Sequence, residues 1–226
     1  MSLGHGASIV RNGLVLHLDA ANSKSYGGTG TTWNDLSGNG RNGALSNSPT
    51  FSSGSFLFDG TNQLVTIPNN LQFGATSFSI EMVVKFPLLN YDAICSWNSD
   101  GFNTGAKGLS IRFRAFSAIE YGLNDGTGTA TRLQITNLSL NTWYHVTYTH
   151  NFNGIISAYV NGSFVSSVDY SSSGNLAFTD TYDLLLARDT NDYGNIFLPI
   201  FKVYNRTLSA NEIQQNFNAI RGRYSI

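Results

Sequence analysis

Cysteine and charge are both scarce in this sequence. Cys95 is the single cysteine among 226 residues, so an internal disulfide and a cysteine-rich zinc site are both excluded. Charged residues make up only 12%, with thirteen basic residues against fourteen acidic ones and a net charge of -1. Because no basic stripe is visible, a nucleic-acid partner is not expected.

Long apolar runs and targeting segments are missing as well. No run approaches the roughly 20 residues of a transmembrane helix, and the first thirteen residues, MSLGHGASIVRNG, lack the charged and apolar regions of a signal peptide. We therefore expect no signal peptide, no transmembrane segment and no membrane partner. Residues 1–8 are expected to be an N-terminal tail or a cloning remnant, and residues 9–226 a single domain.

Period-two alternation of apolar and polar residues dominates what is present. SFSIEMVVKF and GLSIRFRAF each predict an antiparallel strand with one buried face and one polar face. Asn161-Gly162, between IISAYV and SFVSSV, predicts a hairpin with a two-residue turn. Further strands are predicted at LVLHLDA, SFLFD, QLVTI, DAICSW, RLQIT, TWYHVTYTH, YDLLLA and IFLPIFKVYN. Pro199, in the last of these, predicts an edge strand or a bulge.

One helix is well signalled, and it lies near the C-terminus. Ser209 is the predicted N-cap, and Glu212 completes a capping box. Leu208 and Ile213 form a predicted hydrophobic staple, and Gly222 is expected to end the helix. The predicted buried stripe consists of Ile213, Phe217 and Ile220. A dozen short strands followed by one short helix predict an all-β, two-sheet antiparallel sandwich.

Several segments together resemble a known family. GLVLHLDAANSKSYGGTGTTWNDLSGNGRNGALSNSPTF, FLFDGTNQLVTIP, NTWYHVTYTH, AYVNGSFV and KVYNRTLSANEIQQNFNAIRGRY are similar to the laminin-G-like branch of the concanavalin A-like lectin/glucanase superfamily. The chain is most similar to the version found in tailed-phage virion proteins and viral metagenome sequences. The resemblance implies a jelly-roll sandwich with one concave sheet, and a glycan-binding or purely structural role.

The residues of glucan hydrolysis are absent from their expected pattern. Hydrolases of this superfamily carry an E-x-D-x-x-E strand, whereas the glutamates here, Glu81, Glu120 and Glu212, do not begin that pattern. Asp125 near Glu120 leaves a glycoside hydrolase as a weak alternative. His145 is interpreted as a structural histidine, hydrogen-bonded between the sheets. The chain is therefore expected not to be an enzyme.

A calcium-loop fragment occurs in WNDLSGNG. Asp35, Ser37, Asn39 and the following glycine fit D-x-S-x-N-G, but the residue twelve positions from the start is a serine instead of the bidentate glutamate of an EF-hand. A weak calcium site would need a second carboxylate, for which Asp59 is the candidate. The competing interpretation, which we favour, is that Asp35 and Asn39 bind backbone amides in consecutive turns while Trp33 anchors the loop.

Two loops and one strand carry the predicted ligand-binding groups. Sugars bind to an aromatic face flanked by amides or carboxylates. The loop 96–108 and the loop 187–195 both have that mixture, and two arginines on the polar face of their strand are predicted to line the concave sheet between them. The candidate ligand-binding residues are Trp97, Asn98, Asp100, Phe102, Asn103, Arg112, Arg114, Arg188, Asp189, Asp192 and Tyr193.

The sequence therefore predicts a non-catalytic carbohydrate-binding or adhesion module, located on a phage particle according to the resemblance. Its expected partners are a glycan and other virion proteins. The alternative is a purely structural assembly or decoration module. A glycan binder should expose an aromatic side chain beside convergent polar groups, whereas an assembly module should expose a broad apolar patch.

Overall fold

The computed structural model describes residues 8–68, 76–98, 107–114, 117–125, 130–152, 154–171, 182–190 and 192–226. Within these residues the chain forms two antiparallel sheets and one helix. In chain order the elements are β1 (Leu14–Asp19), β2 (Thr32–Trp33), β3 (Gly43–Ser46), β4 (Thr50–Ser52), β5 (Ser55–Asp59), β6 (Leu64–Ile67), β7 (Phe78–Lys85), β8 (Asp92–Asn98), β9 (Lys107–Arg114), β10 (Ala118–Asp125), β11 (Ala130–Ile135), β12 (Tyr144–Asn151), β13 (Ile155–Val160), β14 (Ser163–Asp169), β15 (Leu184–Leu186), β16 (Asn195–Tyr204) and α1 (Ala210–Tyr224).

Each sheet has eight strands, and the apolar core lies between the two sheets. Sheet A has the order β14-β13-β12-β7-β16-β5-β4, with β1 also paired to β16, and sheet B has the order β11-β10-β9-β8-β15-β6-β3-β2. Alternate residues of each strand face the partner sheet, as the pleat requires. Ile80, Met82 and Val84 of β7 thus share one core with Ile111 and Phe113 of β9. The predicted two-sheet sandwich is confirmed.

Helix α1 covers the outer face of sheet A. Ser209 caps it through a complete capping box with Glu212, as predicted, but the helix continues past Gly222 to Tyr224 and ends at Ser225 in a left-handed conformation. Its buried residues include the three that the sequence predicted, Ile213, Phe217 and Ile220, together with Asn216 and Tyr224. The sequence predicted β7 as a half-buried strand, and this is wrong: its polar residues Ser79 and Glu81 are buried as well.

Strand β16 is central in sheet A, so the predicted edge position of Pro199 is wrong. One side of β16 pairs with β7, and the other side pairs first with β5 and then with β1. Pro199 lies between the β5 partner Leu198 and the β1 partner Ile200, and the register against β7 shifts at the same place. The predicted bulge is therefore confirmed, and it lets a residue without an N–H group occupy a central strand.

No helix in the described ranges combines the length and the apolar character needed to cross a membrane.

Candidate functional site

A buried polar network joins helix α1 to sheet A. Lys202 Nζ donates to Glu81 Oε1 at 2.5 Å, and Asn216 Nδ2 donates to Glu81 Oε2 at 2.6 Å. Asn216 also donates to the Tyr204 hydroxyl at 3.0 Å. His145 Nε2 lies 3.1 Å from Glu81 Oε1. His145 thus faces the helix, which corrects the predicted position between the sheets.

The network is sealed from solvent, which decides its chemistry. Glu81, Lys202, His145 and Asn216 are all 0% exposed. Burial acts to raise the pKa of Glu81, but the charges and hydrogen bonds of Lys202 and His145 hold that pKa well below its usual range. Glu81 is therefore an ionised anchor for the helix, and no substrate reaches it.

A second charged group lies on the outer face of sheet B. Glu120 of β10 pairs with Arg112 of β9 and with Gln134 of β11, so these side chains leave the same face. Glu120 Oε2 accepts from Arg112 Nη2 at 3.1 Å and from Arg114 Nη1 at 2.8 Å. Gln134 Nε2 donates to Oε1 at 2.9 Å, and Arg132 Nη1 lies 3.7 Å from the same oxygen. We call these five residues the arginine cluster.

The arginine cluster buries its carboxylate and exposes its cations. The side chain of Glu120 is 1% exposed, whereas those of Arg112, Arg114 and Arg132 are 14%, 17% and 46% exposed. Burial acts to raise the pKa of Glu120, but hydrogen bonds from Arg114 and Gln134 and the charges of Arg114 and Arg112 lower it. Glu120 is therefore ionised and orients the guanidinium groups. It is a poor candidate for a proton donor.

An exposed tyrosine borders the arginine cluster. The guanidinium carbon of Arg114 lies 5.1 Å from the centre of the Tyr91 ring, and Arg114 Nη2 donates to the Tyr91 hydroxyl at 3.4 Å. Tyr91 is 44% exposed, so part of its surface remains open beside the cations. An aromatic ring next to guanidinium donors can contact the apolar face of an acidic sugar and bind its anionic group.

The segment from Arg188 to Tyr193 lies at the same end of sheet B. Its first residue stacks on its last, with the Arg188 guanidinium carbon 4.2 Å from the centre of the Tyr193 ring. Asp189 Oδ1 accepts a hydrogen bond from Asp192 N at 2.8 Å, which ties these two residues together. Asp189 is only 2% exposed, so it does not face a ligand.

Asp92 fixes this segment to the start of β8. Asp92 Oδ1 accepts from Asn195 N at 2.8 Å, while Oδ2 is buried and forms no hydrogen bond in the described part of the chain. The pKa of Asp92 is raised to about 6, mainly by burial; the hydrogen bond from Asn195 N opposes the rise, and the charge of Asp192 adds to it. Asp92 is 0% exposed, so its role is structural.

The structure separates the two loops that the sequence singled out. Asp92 at the start of β8 pairs with Phe113 beside the arginine cluster, whereas Trp97 near the end of β8 pairs with Leu109. The segment 187–195 therefore lies at the arginine end, and Trp97 and Asn98 lie at the other end. Trp97 is 6% exposed and part of the core, so it offers no open ring face. The other predicted groups of that loop lie outside the described residues, namely Asp100, Phe102, Asn103 and the side chain of Asn98.

Asp35 acts as the centre of a chain of turns. Its Oδ1 accepts from His17 N at 2.9 Å and Ser37 N at 2.8 Å, and its Oδ2 accepts from Ser37 Oγ at 2.7 Å and Arg41 N at 3.1 Å. Asn39 Nδ2 donates to Ser37 Oγ at 2.9 Å. Trp33 is 0% exposed, as the anchoring interpretation predicts. The amides and the hydroxyl use the oxygens that a cation would need.

Asp59 is not the second carboxylate for such a site. It pairs with Asn195 on β16, whereas His17, which binds Asp35, pairs with Lys202. The seven-residue difference along β16 corresponds to about 20 Å of strand. No group of three or more His, Cys, Asp or Glu residues suited to a metal occurs within the described ranges. Calcium binding stays an untested prediction, without support from this geometry.

Tyr91, Asp92 and Arg132 at the arginine end were not predicted as site residues, and Glu120 was predicted only as part of the hydrolase alternative. The signal for Glu120 was available, because AIEYGLND alternates Ile119, Tyr121 and Leu123 with polar or small residues, which is typical of a strand. A hairpin between that strand and GLSIRFRAF brings a glutamate on one strand opposite an arginine on the other.

Several solved structures have a similar fold. The binding domain of Paraclostridial Mosquitocidal Protein 1 superposes with a TM-score of 0.74 at 19% identity, over 92% of this chain and 52% of that chain. The receptor binding domain of botulinum neurotoxin D gives 0.72 at 18% identity, with 92% and 52% covered. A botulinum neurotoxin serotype D ligand binding domain in complex with N-acetylneuraminic acid gives 0.68 at 17% identity, with 92% and 51% covered.

This chain spans about half the length of those solved chains, and the likeness at these identities concerns the fold. Among proteins of curated function, none matches the sequence significantly. A family model described as the concanavalin A-like lectin/glucanases superfamily matches residues 59–214, which is more than half of the chain. The protein therefore belongs to the concanavalin A-like lectin/glucanases superfamily.

Proposed function

We propose that the protein is a non-catalytic carbohydrate-binding module whose arginine cluster and Tyr91 bind an acidic sugar. The observation that carries the proposal is the sharing of the single carboxylate Glu120 by Arg112, Arg114 and Arg132, beside an exposed ring. Glu120 fixes the guanidinium groups in place before a ligand arrives, which lowers the entropic cost of binding. An acidic sugar is chosen because guanidinium groups bind carboxylates and sulfates through two parallel hydrogen bonds.

The state of the glutamates supports a role without catalysis. Glycoside hydrolysis needs one protonated and one ionised carboxyl group on the two sides of the scissile bond. Glu81 is sealed under the helix, Glu120 is held ionised by arginines, and Glu212 binds Ser209 and Arg206 in the helix cap. The three glutamates thus have structural partners, and none has a raised pKa.

Similar solved structures add support of a coarser kind. They are binding domains of toxins, one of them in complex with N-acetylneuraminic acid, and that sugar carries a carboxylate. The phage particle stays a prediction from the sequence resemblance. On a particle, weak binding by one domain would be multiplied by the number of copies.

A glycan array with matched acidic and neutral sugars tests the proposal. The protein is presented as a multimer, and Arg132→Gln and Tyr91→Ala are compared with the control Arg11→Gln, which alters an exposed arginine at the turn before β1. We expect binding to acidic sugars to weaken about tenfold or more in Arg132→Gln, because a hydrogen bond to a charged group contributes about 1.5–3 kcal/mol. Tyr91→Ala should also weaken binding, because it removes the aromatic ring beside the cations. Equal binding by the site variants and the control contradicts the assignment.

One observation favours the alternative of an assembly module. Strand β14 is at the edge of sheet A in the described chain, and Phe164 and Val165 on it are 58% and 45% exposed. Ile155 and Phe152, at the opposite end of the β13–β14 hairpin, are 46% and 48% exposed. An exposed edge strand with apolar side chains is a pairing surface. If the wild type self-associates in sedimentation experiments and Phe164→Ser abolishes this, the edge is an assembly surface.

A further inference from the structure

A pocket of about 350 Å³ lies on the outer face of sheet A. It is lined by Lys85 of β7, Phe197 of β16, Trp143 before β12, and Arg223 and Tyr224 at the end of α1, with serines of the β4–β5 hairpin on another side. Its volume falls in the range of small-molecule sites, about 300–1,000 Å³. The arginine cluster lies on the other sheet, so the two sites are separate.

Lys85 provides the pocket with a positive charge that has no acidic partner among the described residues. Its Nζ lies 4.2 Å from the centre of the Phe197 ring and 4.6 Å from the centre of the Trp143 ring. Within the described residues, no carboxylate lies within ion-pair distance of this ammonium group. The rings position the ammonium group by cation–π attraction without cancelling its charge, so it remains available to an anion.

The other side of the pocket combines a guanidinium group with a buried hydroxyl. Arg223 Nη1 donates to both oxygens of Asp19, at 2.7 and 2.9 Å, which fixes the side chain at the rim. Tyr224 is 9% exposed, and its buried hydroxyl forms no hydrogen bond of normal geometry within the described residues. Arg223 is close enough to act on the pKa of this hydroxyl. A buried hydroxyl without such a bond is costly unless a ligand or water binds it.

The serine side of the pocket is a tight hairpin. Ser53 and Gly54 both have positive φ, at 51° and 72°, as a two-residue turn of this type requires. Ser52, Ser53 and Ser55 of this hairpin line the pocket. Hydroxyl groups opposite a cation suit a ligand that carries both hydroxyls and a negative charge.

We propose that this pocket is a second binding site, which takes the anionic group of an acidic sugar on Lys85 and its hydroxyls on the serine hairpin. The anionic group is a carboxylate or a sulfate, since both present oxygens to an ammonium donor. The proposal does not depend on the arginine cluster. It adds an enclosed site on sheet A to the open face of sheet B.

The three tryptophans of the chain provide a direct measurement. Trp33 and Trp97 are 0% and 6% exposed in the core, whereas Trp143 lines the pocket. The indole N–H signals of ¹⁵N-labelled protein are assigned with Trp143→Phe and followed during titration with N-acetylneuraminic acid, sodium sulfate and neutral N-acetylglucosamine. We expect a saturable shift of the Trp143 signal with the acidic sugar and little shift with the neutral one. A shift with sulfate as well extends the site to sulfated sugars.

The decisive variant is Lys85→Met, which keeps an unbranched side chain on the rings and removes the charge. We expect the apparent Kd from the Trp143 signal to rise about tenfold or more, whereas Lys85→Arg and the control Arg11→Met retain binding. Lys85→Arg keeps the test valid if the methionine variant folds poorly. The proposed binding site is overturned if neither anion shifts the Trp143 signal, or if acidic and neutral sugars shift it equally.

The two experiments can reject either proposed site without rejecting the other. If the array detects acidic sugars but the Trp143 signal and Lys85→Met show no effect, the pocket is overturned and the arginine cluster stands. If Trp143 responds and Lys85→Met weakens binding, while Arg132→Gln and Tyr91→Ala leave array binding unchanged, the pocket stands and the arginine cluster is overturned.

Discussion

Replacing Lys202 with methionine should be among the most destabilising single changes in this protein. The Lys202 side chain is 1% exposed and Glu81 is 0% exposed, and the ammonium group lies 2.5 Å from Glu81 Oε1. Methionine fits the apolar part of the lysine space but leaves the carboxylate buried without its main cation. Breaking one partner of a buried pair costs about 3–5 kcal/mol, and we expect Lys202→Met to lose that much stability.

The pH dependence of this loss of stability provides a second check, because its direction follows from the pKa of Glu81. In the wild type, the pKa of Glu81 is lowered, so its contribution to stability is present above the unfolded pKa of about 4.3 and is lost as the pH falls below that value. Without Lys202, the effect of burial dominates and raises this pKa. The variant then loses stability as the pH rises. The difference between wild type and variant should therefore be larger at pH 8 than at pH 4.5.

His17 near the pair acts in the same direction. Burial together with the charge of Lys202 lowers the pKa of His17 to about 4. When Lys202 is replaced, protonation of the His17 imidazole at acid pH supplies part of the missing positive charge. His17 therefore narrows the stability difference between wild type and variant at acid pH and leaves it intact at pH 8.

Guanidinium chloride unfolding at pH 4.5 and pH 8, followed by far-UV circular dichroism, measures these quantities. Lys24→Met is the matched control, since Lys24 is exposed and its replacement should change stability by less than about 0.5 kcal/mol. The double variant Lys202→Met/Glu81→Leu removes both charges and should be more stable than Lys202→Met alone. A loss below about 1 kcal/mol at pH 8, or a double variant less stable than the single one, refutes the reasoning.

Three further changes probe the helix cap, one close backbone contact and the buried carboxyl group. Ser209→Ala removes the N-cap and should cost about 1 kcal/mol in denaturant unfolding. Gly194→Ala places a Cβ 2.0 Å from the carbonyl oxygen of Ala93, so we expect a loss of about 3 kcal/mol or more and a lower Tm. Since the pKa of Asp92 is raised to about 6, its stabilising contribution at low pH is lost as the pH rises through 6. Asp92→Asn keeps an acceptor for Asn195 N and should remove this decline, which is about 3 kcal/mol between pH 4 and pH 8. An unchanged pH profile in Asp92→Asn contradicts that assignment.

Features set by neighbouring residues were predictable from the sequence. The capping box of Ser209 and Glu212 involves residues three positions apart, and the hairpin at Asn161-Gly162 depends on two residues with positive φ. The alternation in β7 also identified its core face correctly. Each of these patterns is complete within one segment, so no knowledge of the fold was needed.

Features set by distant segments were not predictable in the same way. The alternation in β7 marks Glu81 as polar, but nothing in that segment indicates that a helix more than a hundred residues later covers it. The sequence around Trp97 indicates an exposed ring on which a sugar could stack. Its strand pairing with Leu184 and Leu109 instead places the ring in the core. The arginine cluster joins three strands, so its geometry follows from register and not from spacing.

The position of helix α1 decides which polar residues of sheet A are available to a ligand. Where the helix lies on the sheet, Glu81 and Lys202 are sealed and must neutralise each other. The helix ends at Tyr224, and Lys85, four positions further along β7 from Glu81, lies past that end with the Trp143 and Phe197 rings beside its ammonium group. The same face of the same strand thus holds a structural charge at one position and an available charge at the other. A longer helix that covered Lys85 would therefore abolish the pocket without changing any residue of β7.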